Sequence, residues 1–530
     1  MTNIAEIEGR RMALQSECER VKTQGQRNRL GQFATPARLA RGIIRLAGSL
    51  LPGNVDIRFL DPAFGTGSFY SALLHCFPAE RIRTALGFEI DKQVAESATE
   101  LWRRTALDLR LADFTRQCPP APSKKFNLIV CNPPYVRHHH LTGQEKARLH
   151  GLTCGPLGHG ISGLTGLYGY FLLLADAWAS EEAVCIWLIP TEFMDVNYGA
   201  ALKEYLRTKV TLLKVHRFDA EDIQFDDALV SSSIVCFRKS PPLTDHRVCF
   251  SFGGSLEEPK IERKVHIADL RPTAKWRRDG FSADTNTNLP RLRDFFDIKR
   301  GLATGDNHFF ILSREEVQAH HLPSKFLKPI LPSPRYLEKD EIEADHRGHP
   351  LVENVRFLLD CPLSEEQVKT TYPELWRYLQ LGQKDVAKGY LCRSRSPWYS
   401  QEKRPAPMFL CTYMGRMRNK DGRAFRFILN RSIATAANVY LLMYPRTELT
   451  RALRTQPQMN REVWSWLQNL PSALLLSEGR VYGGGLHKVE PRELGNVPAD
   501  GLANLVGISP KAKPSQLGFF AGNNNLSAVF

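Results

Sequence analysis

The motif NPPY at residues 132–135 follows the apolar run FNLIVC and combines an amide side chain with an aromatic ring. Asn132 could hold the edge of a flat, amine-bearing group by hydrogen bonds, while the ring of Tyr135 covers its face. Pro133 and Pro134 stiffen the turn, because proline fixes φ and restricts the residue before it. The same four residues could form a plain turn from a strand into a loop, so the choice depends on the surrounding sequence.

The strand predicted over DIRFL (56–60) runs into DPAFGTGSF, where a carboxylate and two glycines precede a helix. Asp61 and Pro62 come first, and Gly65 and Gly67 follow. Glycines at this point let the backbone approach a ligand closely. Their spacing differs from the GxGxxG dinucleotide fingerprint and no Walker lysine follows, so a nearly neutral cofactor fits the loop better than a phosphate.

Two further predicted strands also end in carboxylates. Glu89 closes the first of them, where a carboxylate can accept two hydrogen bonds from a ribose diol. Asp113 closes the next, and with Phe114 beside it could accept from an exocyclic amine next to an apolar ring. Ligands of open α/β sheets lie at the carboxyl ends of the strands, so four polar strand ends in series predict one shared site.

Short apolar runs alternate with helical stretches from about residue 36 to 238, which predicts an α/β fold with a doubly wound sheet. Several runs are apolar throughout, as expected of strands covered on both faces. Residues 36–51 are predicted to form a helix, with Thr35 as its N-cap and Pro36 at the first helical position. The predicted strands are DIRFL (56–60), TALGFEI (84–90), LDLRLAD (107–113), FNLIVC (126–131), AVCIWLIP (183–190), LLKVHRF (212–218) and SSSIVCFRK (231–239).

A chain of 530 residues is too long for one hydrophobic core, so we expect more than one domain. The α/β pattern ends near residue 240, and the later residues predict a second domain of mixed class. The expected boundaries are 1–25 for an N-terminal helical extension, 26–240 for the α/β domain with the predicted site, 241–289 for a linker, 290–505 for the second domain and 506–530 for a tail.

The formal net charge is +15, and residues 1–240 hold 29 Lys and Arg against 25 Asp and Glu, so +11 falls in the rest of the chain. An excess of that size predicts a polyanionic partner, most simply nucleic acid. The eleven cysteines show no CxxC pair and no zinc-site spacing, so we expect no metal. The sequence shows neither a signal peptide nor a membrane-spanning run, so we expect a cytoplasmic protein.

Several segments follow one another in the order known from a family of enzymes. The segments are GQFATP (31–36), DPAFGTGSF (61–69), GFEID (87–91), ADF (112–114), NPPY (132–135), LYGYF (167–171) and FDDALVSSSIV (225–235). In this order they resemble the adenine-N6 DNA methyltransferases of the gamma arrangement, in which a target-recognition domain follows NPPY. IKRGLATGDNHFF (298–310) and VYGGGLHKVEPREL (481–494) look like segments of target-recognition domains in type II modification enzymes. The resemblance implies a Rossmann-like, S-adenosylmethionine-dependent methyltransferase domain followed by a mixed α/β target-recognition domain.

The same resemblance implies how the methyl donor, S-adenosylmethionine, would be held. Thr35 would lie near its methionine end, Asp61 near its amino group and Glu89 on its ribose hydroxyls. Asp113 would accept from the adenine amine. The residues assigned to the cofactor are Thr35, Asp61, Pro62, Gly65, Gly67, Glu89, Asp113 and, along the adenine ring, Phe114 and Phe171, with Tyr170 as the alternative to Phe171.

The activity implied is methylation of the N6 amine of a flipped-out adenine in double-stranded DNA. The side-chain oxygen of Asn132 and the carbonyl of Pro133 would accept from the two amine protons, so that the nitrogen lone pair points at the methyl group. A base inside a duplex cannot reach such a pocket, so it has to be flipped out, and it would stack between Tyr135 and Phe225.

Other functions share part of this pattern. NPPY also occurs in enzymes that methylate RNA adenine or a protein glutamine amide, and a catalytically silent DNA-binding subunit or a fused restriction-modification enzyme would share other features. The intact motifs argue against a silent subunit, and no PD…ExK nuclease signature supports a fusion. We expect a monomer whose partners are double-stranded DNA and a separately encoded restriction endonuclease or other defence proteins. Arg393 and Arg395 are candidates for DNA contact, since arginine reads guanine edges or phosphates, and a structural or solvated role is an equal alternative for each of them.

Overall fold

The computed structural model describes residues 4–158, 160–219, 231–276, 289–417, 423–482 and 485–507. The chain divides into two compact units, one formed by Met1–Ala283 with Arg480–Leu486 and the other by Asp284–Gly479 with His487–Phe530. Phe225 and most of the expected tail lie outside the described residues. Within the described ranges, no helix is both long and apolar enough to cross a membrane.

The first unit alternates helices with strands, and each of the seven predicted strands overlaps one of the first seven observed strands. Its helices are α1 (Ile4–Val21), α2 (Gln24–Leu30), α3 (Ala37–Leu50), α4 (Ser68–Cys76), α5 (Lys92–Trp102), α6 (Gly143–Leu157), α7 (Leu167–Ala175), α8 (Glu192–Asp195) and α9 (Ala200–Thr208). Its strands are β1 (Ile57–Asp61), β2 (Ile82–Glu89), β3 (Leu107–Leu111), β4 (Phe126–Cys131), β5 (Ala179–Pro190), β6 (Thr211–Arg217), β7 (Ser232–Arg238), β8 (Arg247–Gly254) and β9 (Pro259–His266).

These nine strands form one sheet in the order β3-β2-β1-β4-β5-β7-β6-β8-β9. β1 pairs in parallel with both β2 and β4, so the chain turns in opposite directions on the two sides of β1. β7 runs antiparallel between β5 and β6. A reversal of strand order opens a crevice at the carboxyl ends of the central strands, where doubly wound sheets bind ligands. The predicted Rossmann-like α/β fold is confirmed.

β4 shows why this sheet needs strands that are apolar throughout. Ile129 and Cys131 belong to one buried hydrophobic cluster, whereas Leu128 and Val130 belong to another. All four side chains are fully buried. Successive side chains of a strand point to opposite faces, so a strand covered by helices on both sides has no position left for a polar residue.

The segment expected to be a linker, residues 241–289, contains two strands that extend the sheet. β8 pairs in parallel with β6, and β9 pairs antiparallel with β8. Val248 and Phe250 of β8 are buried, but β9 buries only Val265. The linker prediction is wrong here because an edge strand with one solvated face carries charged residues, and its sequence then resembles a connecting segment.

The second unit consists of short helices and strands, as predicted for a domain of mixed class. The helices after residue 290 are α10 (Leu292–Phe295), α11 (Asn307–Phe310), α12 (Arg314–Ala319), α13 (Glu365–Thr371), α14 (Pro373–Gly382), α15 (Tyr390–Arg393), α16 (Thr447–Thr455), α17 (Met459–Gln468), α18 (Ser472–Glu478), α19 (Pro491–Gly495) and α20 (Asp500–Val506). The strands after residue 290 are β10 (Phe296–Arg300), β11 (Ile311–Ser313), β12 (Leu327–Leu331), β13 (Glu341–Ile342), β14 (Arg356–Leu359), β15 (Phe409–Thr412), β16 (Met414–Arg416), β17 (Phe427–Asn430), β18 (Thr435–Ala436), β19 (Tyr440–Pro445), β20 (Arg480–Tyr482) and β21 (Leu486–Lys488). Of these, β20 falls within Arg480–Leu486, which belongs to the first unit. A five-stranded sheet has the order β10-β19-β15-β17-β13, and a four-stranded sheet has the order β11-β14-β12-β18.

Candidate functional site

A cavity of about 470 Å³ lies at the carboxyl ends of β1, β2 and β4 in the first unit. Ten residues predicted for the site line it: Thr35, Asp61, Pro62, Gly65, Glu89, Asp113, Phe114, Asn132, Pro134 and Phe171. Three others, Gly67, Pro133 and Tyr135, are not among the described residues that line it, and Phe225 lies outside the described residues. In the described part of the chain, no group of three or more His, Cys, Asp or Glu is placed to hold a metal ion.

The amide of Asn132 is held in one orientation by the segment that precedes α3. Its Nδ2 donates to the carbonyl oxygen of Phe33 at 2.8 Å and to Oγ1 of Thr35 at 3.1 Å. Its Oδ1 is buried and has no hydrogen-bond partner among the described residues. An unpaired buried acceptor costs free energy, so this oxygen suits a donor that arrives with a ligand.

Thr35 has a different role from the one expected at the start of a helix. α3 begins at Ala37, and its cap residue is Pro36, which makes no side-chain hydrogen bond to the helix. The Thr35 side chain is buried and accepts from Asn132 instead. The N-cap prediction is therefore wrong, and the pattern of the helix could not reveal a partner 97 residues away in the chain.

Gly31 and Phe33 support the NPPY loop (residues 132–135), and neither was predicted as a site residue. The backbone N–H of Tyr135 donates to the carbonyl of Gly31 at 2.9 Å, and the Phe33 ring lies 5.5 Å from the Tyr135 ring. Gly31 has a φ of +65°, and a Cβ there would come within 2.4 Å of the Tyr135 backbone nitrogen. The segment GQFATP (31–36), which contains both residues, is part of the family resemblance, but only its Thr35 was predicted as a site residue.

Tyr135 lies beside the cavity with its ring buried. Only 6% of the residue is exposed, and its hydroxyl donates to the carbonyl of Leu188 at 3.1 Å. Burial raises the pKa of Tyr135 well above its ordinary value, so the hydroxyl stays protonated and keeps this bond. The ring is thus fixed at both ends, by Leu188 and by the NPPY backbone.

Asp61 is a buried carboxyl group that favours its neutral form. It is 1% exposed, and its Oδ1 accepts from the backbone N–H of Ala63 at 3.1 Å. Burial raises the pKa of Asp61 to about 8, and the negative charge of Glu89 adds to this effect. A carboxyl group in such a place ionises readily only when a cation approaches it.

Glu89 fastens the loop between β1 and α4 from the cavity side. Its Oε2 accepts from the N–H of Gly65 at 2.9 Å, and its Oε1 accepts from the N–H of Asp91 at 2.8 Å. The N–H of Ile90 is a third backbone donor to this carboxylate, which leaves part of its acceptor capacity for a ligand. Gly67 belongs to the same loop but is not among the described residues that line the cavity. Its φ is +90°, and a Cβ there would lie 2.7 Å from the Phe64 ring, so the loop requires glycine at this position.

The side of the cavity near Asp113 combines a carboxylate with aromatic rings. Asp113 Oδ1 accepts from the N–H and the hydroxyl of Thr115 at 2.9 and 2.8 Å, so it also caps the turn that follows it. The rings of Phe114 and Phe171 lie 5.4 Å apart. Phe171 lines the cavity. The alternative residue, Tyr170, is not among the described residues that line it.

The two N-terminal helices also line the cavity, although the sequence had assigned them no role. α1 buries only Ile7 and Arg11, so no apolar stripe marks the face that contacts the rest of the unit. The residues of α1, of α2 and of the turn between them that line the cavity are Gln15, Cys18, Glu19, Lys22, Arg27 and Leu30.

In the second unit, the guanidinium of Arg395 makes hydrogen bonds within the protein. Its Nη1 donates to the carbonyl of Thr304 and its Nη2 to the carbonyl of Ala303, both at 2.6 Å. A third bond joins Nη1 to Oε1 of Gln401 at 3.1 Å. Arg393 is exposed at the end of α15. The two arginines that were expected to contact DNA therefore differ in kind, because the guanidinium of Arg395 holds a loop.

Comparison with known families matches both parts of the chain. Residues 79–224 match the family described as the Eco57I restriction-modification methylase, and residues 282–514 match the C-terminal domain of the type II methyltransferase M.Eco57I. The type II methyltransferase M.AccI of Acinetobacter calcoaceticus is 27% identical over 497 residues, which cover 88% of this chain and 85% of that protein. M.XamI of Xanthomonas campestris pv. amaranthicola is 27% identical over 497 residues, which cover 90% and 86%.

Among solved structures, the fold is similar to that of MmeI, a type IIL restriction-modification enzyme in complex with DNA. The TM-score is 0.53 and the identity 14%, over 80% of this chain. This chain spans 61% of the length of that enzyme, which is less than two thirds. At that identity the likeness shows the fold alone.

Proposed function

We propose that this chain, which belongs to the type II restriction-modification methyltransferases, methylates the N6 amine of adenine in double-stranded DNA with S-adenosylmethionine as the methyl donor. Asn132 favours adenine, because enzymes that methylate cytosine N4 more often have serine before the two prolines. The excess of +11 charge after residue 240 favours DNA over a protein substrate, since it can neutralise phosphates.

The orientation of the Asn132 amide carries the proposal. Its Nδ2 is bonded to Phe33 and Thr35, so the side chain offers only its acceptor oxygen to a ligand. An exocyclic amine is a donor and fits this oxygen, whereas a carbonyl group would be repelled.

The amine of adenine is a poor nucleophile, because its lone pair is delocalised into the ring. Asn132 Oδ1 would accept one amine proton and the Pro133 carbonyl the other, which favours a more tetrahedral nitrogen with an exposed lone pair. Holding that lone pair in line is the main catalytic contribution of these residues. The rigid double proline keeps the second acceptor in place.

The residues around the cavity fit S-adenosylmethionine, which supplies a methyl group on a positively charged sulfur when bound. Asp61 would ionise beside the cationic amino group, and the acceptor capacity that Glu89 keeps beside its backbone donors suits a ribose hydroxyl. Phe114 and Phe171 offer apolar surface for the adenine ring. A volume of about 470 Å³ is in the range for a ligand of this size.

Tyr135 is suited to receive a base that leaves the duplex. Its ring is held by the hydrogen bond to Leu188 and by Phe33, so it is in place before the base arrives. Stacking of a base on such a ring contributes about 1–3 kcal/mol, which offsets part of the unstacking cost. Phe225 as the second ring stays a prediction.

Product analysis tests the proposal. The purified chain is incubated with duplex DNA of mixed sequence and S-adenosylmethionine labelled on its methyl group, and the DNA is digested to nucleosides for mass spectrometry. We expect the label in N6-methyladenine alone, and none with Asn132→Ala, which should still bind the cofactor. Label in N4-methylcytosine would overturn the choice of adenine, and label in RNA or protein but not in DNA would overturn the choice of substrate.

A further inference from the structure

We propose that helix α1 is an integral wall of the proposed cofactor site, and that Arg11 is the positioning residue that sets the loop between β1 and α4. This inference rests on the proposed function. Arg11 is 1% exposed, in a helix of which little else is buried. Arginine is seldom buried so completely unless several partners satisfy its guanidinium.

One side of the Arg11 guanidinium is taken up by Glu8, one turn earlier in α1. Nε donates to Oε2 and Nη2 donates to Oε1, each at 2.8 Å, which is a bidentate pair. Such a pair fixes the plane of the guanidinium as well as its position. Glu8 in turn accepts from the hydroxyl of Ser71 in α4, so the pair is tied to the helix that follows the loop.

The remaining nitrogen, Nη1, points at the loop that lines the cavity. It donates to Oγ of Ser68 at 2.9 Å and to Oγ1 of Thr66 at 3.1 Å. Oε1 of Gln15, a residue of α1 that lines the cavity, accepts from the same nitrogen at 2.7 Å, so the two protons of Nη1 are shared among three acceptors. Trp102 donates to the carbonyl of Thr66 at 3.0 Å. The loop is therefore held by Arg11 and Trp102 on one side and, through Gly65, by Glu89 on the other.

The far end of α1 is anchored beside the same cavity. Lys22 forms an ion pair with Asp91, the N-cap residue of α5, and also donates to Oε1 of Gln32 at 2.8 Å. Partial burial acts to raise the pKa of Asp91, but the hydrogen bond and charge of Lys22 hold it below its ordinary value. α1 is thus held at Arg11, near its middle, and at Lys22, the residue after its last one. Gln15, Cys18 and Glu19 lie between these two points and line the cavity.

The consequence is preorganisation of the cofactor loop before any ligand binds. A loop that is already in place costs less entropy on binding, so its anchors raise cofactor affinity and leave the chemical step alone. Arg11 touches neither reacting group and acts through Thr66 and Ser68. Loss of its contacts should therefore change KM for the cofactor much more than kcat.

The double variant Glu8→Gln, Arg11→Gln tests this without leaving one charge unpaired. Cofactor binding is measured by calorimetry on the full chain without DNA, and hydrogen exchange follows the amides of residues 64–68 in the free protein. We expect the dissociation constant to rise about tenfold, the loop amides to exchange faster, and kcat at saturating cofactor to stay close to wild type. Arg10→Gln, an exposed arginine of the same helix, is the matched control and should change none of these.

If the double variant does not fold, Thr66→Val tests the role of Arg11 instead, because this substitution removes one acceptor of Arg11 and keeps the pair of Glu8 and Arg11. It should raise the dissociation constant about threefold. Unchanged affinity and loop exchange in these variants would overturn the inference. A wild-type chain that binds the cofactor but makes no N6-methyladenine would instead overturn the proposed function and leave the role of α1 standing.

Discussion

Asn132 donates its Nδ2 to Oγ1 of Thr35 at 3.1 Å, across 97 residues of sequence. The second acceptor, the Phe33 carbonyl, decides the orientation of the amide, because a flipped amide would bring two acceptors face to face. Thr35 strengthens an arrangement that Phe33 imposes. The segment 31–36 and the NPPY loop are thus joined by hydrogen bonds, and substitutions in the segment should disturb the geometry of the loop.

Replacing Thr35 by valine should lower kcat about tenfold, because one hydrogen bond that fixes the Asn132 amide is lost. Steady-state methylation kinetics and cofactor calorimetry measure the two effects separately. We expect the affinity for the cofactor to stay within about twofold, and Thr35→Ser, which keeps the hydroxyl, to restore most of the rate. If Thr35→Val instead weakens cofactor binding at unchanged kcat, its hydroxyl serves the methionine end and not Asn132.

The pKa of Asp61, raised to about 8 by burial, predicts a pH-dependent affinity for the cationic cofactor. At pH 6 to 7.5 the free protein holds a proton on Asp61, and a bound ammonium group favours its release. Affinity should therefore rise with pH over this range, by up to about tenfold per unit, with release of a proton. Calorimetry in buffers of different ionisation enthalpy counts that proton, and Asp61→Asn should abolish both the release and the slope.

The raised pKa of Asp61 should also make the stability of the free protein depend on pH. Between about pH 4 and about pH 8 the folded state keeps a proton on Asp61 that the unfolded state has lost, so the free energy of unfolding should fall as pH rises. Asp61→Asn removes this dependence and should be more stable than wild type near pH 8. Urea titrations at pH 5 and pH 8 measure both proteins, and equal pH slopes would show that Asp61 ionises normally.

Features that depend on local pattern could be predicted from the sequence, and those that depend on distant contacts could not. The run in β4 had to be apolar because both faces are covered. Asp61 is the last residue of β1 and Asn132 follows β4, which is the neighbouring strand of the same sheet. β9 was not predicted as a strand, because its exposed face carries polar residues. The role of Arg11 was not predicted because the two acceptors that tie it to the cofactor loop lie 55 and 57 residues away, and nothing within the sequence of α1 distinguishes it from the exposed Arg10.

Gly31→Ala should damage the NPPY loop without touching a ligand. Its φ of +65° and the 2.4 Å approach of a Cβ to the Tyr135 nitrogen leave no room for a side chain, and the atoms in the way are backbone. We expect kcat to fall at least about tenfold, with the loss of the bond from Tyr135 to the Gly31 carbonyl. Gly25→Ala is the control, since a Cβ there meets nothing within 4 Å, and comparable losses in both would point to a general defect of folding.

Arg393 and Arg395 should separate DNA binding from stability. Arg395→Ala removes three hydrogen bonds and leaves the Thr304 carbonyl with only the weak donor of the Cys392 thiol, so it should cost about 2 kcal/mol of unfolding free energy, seen in urea titrations. Arg393 is exposed, so Arg393→Ala should leave stability within about 0.5 kcal/mol. If Arg393 contacts a phosphate, its loss should weaken DNA binding and lower the slope of log affinity against log salt by about 1. An unchanged slope for Arg393→Ala, measured by fluorescence anisotropy at several salt concentrations, would remove this residue from the DNA interface.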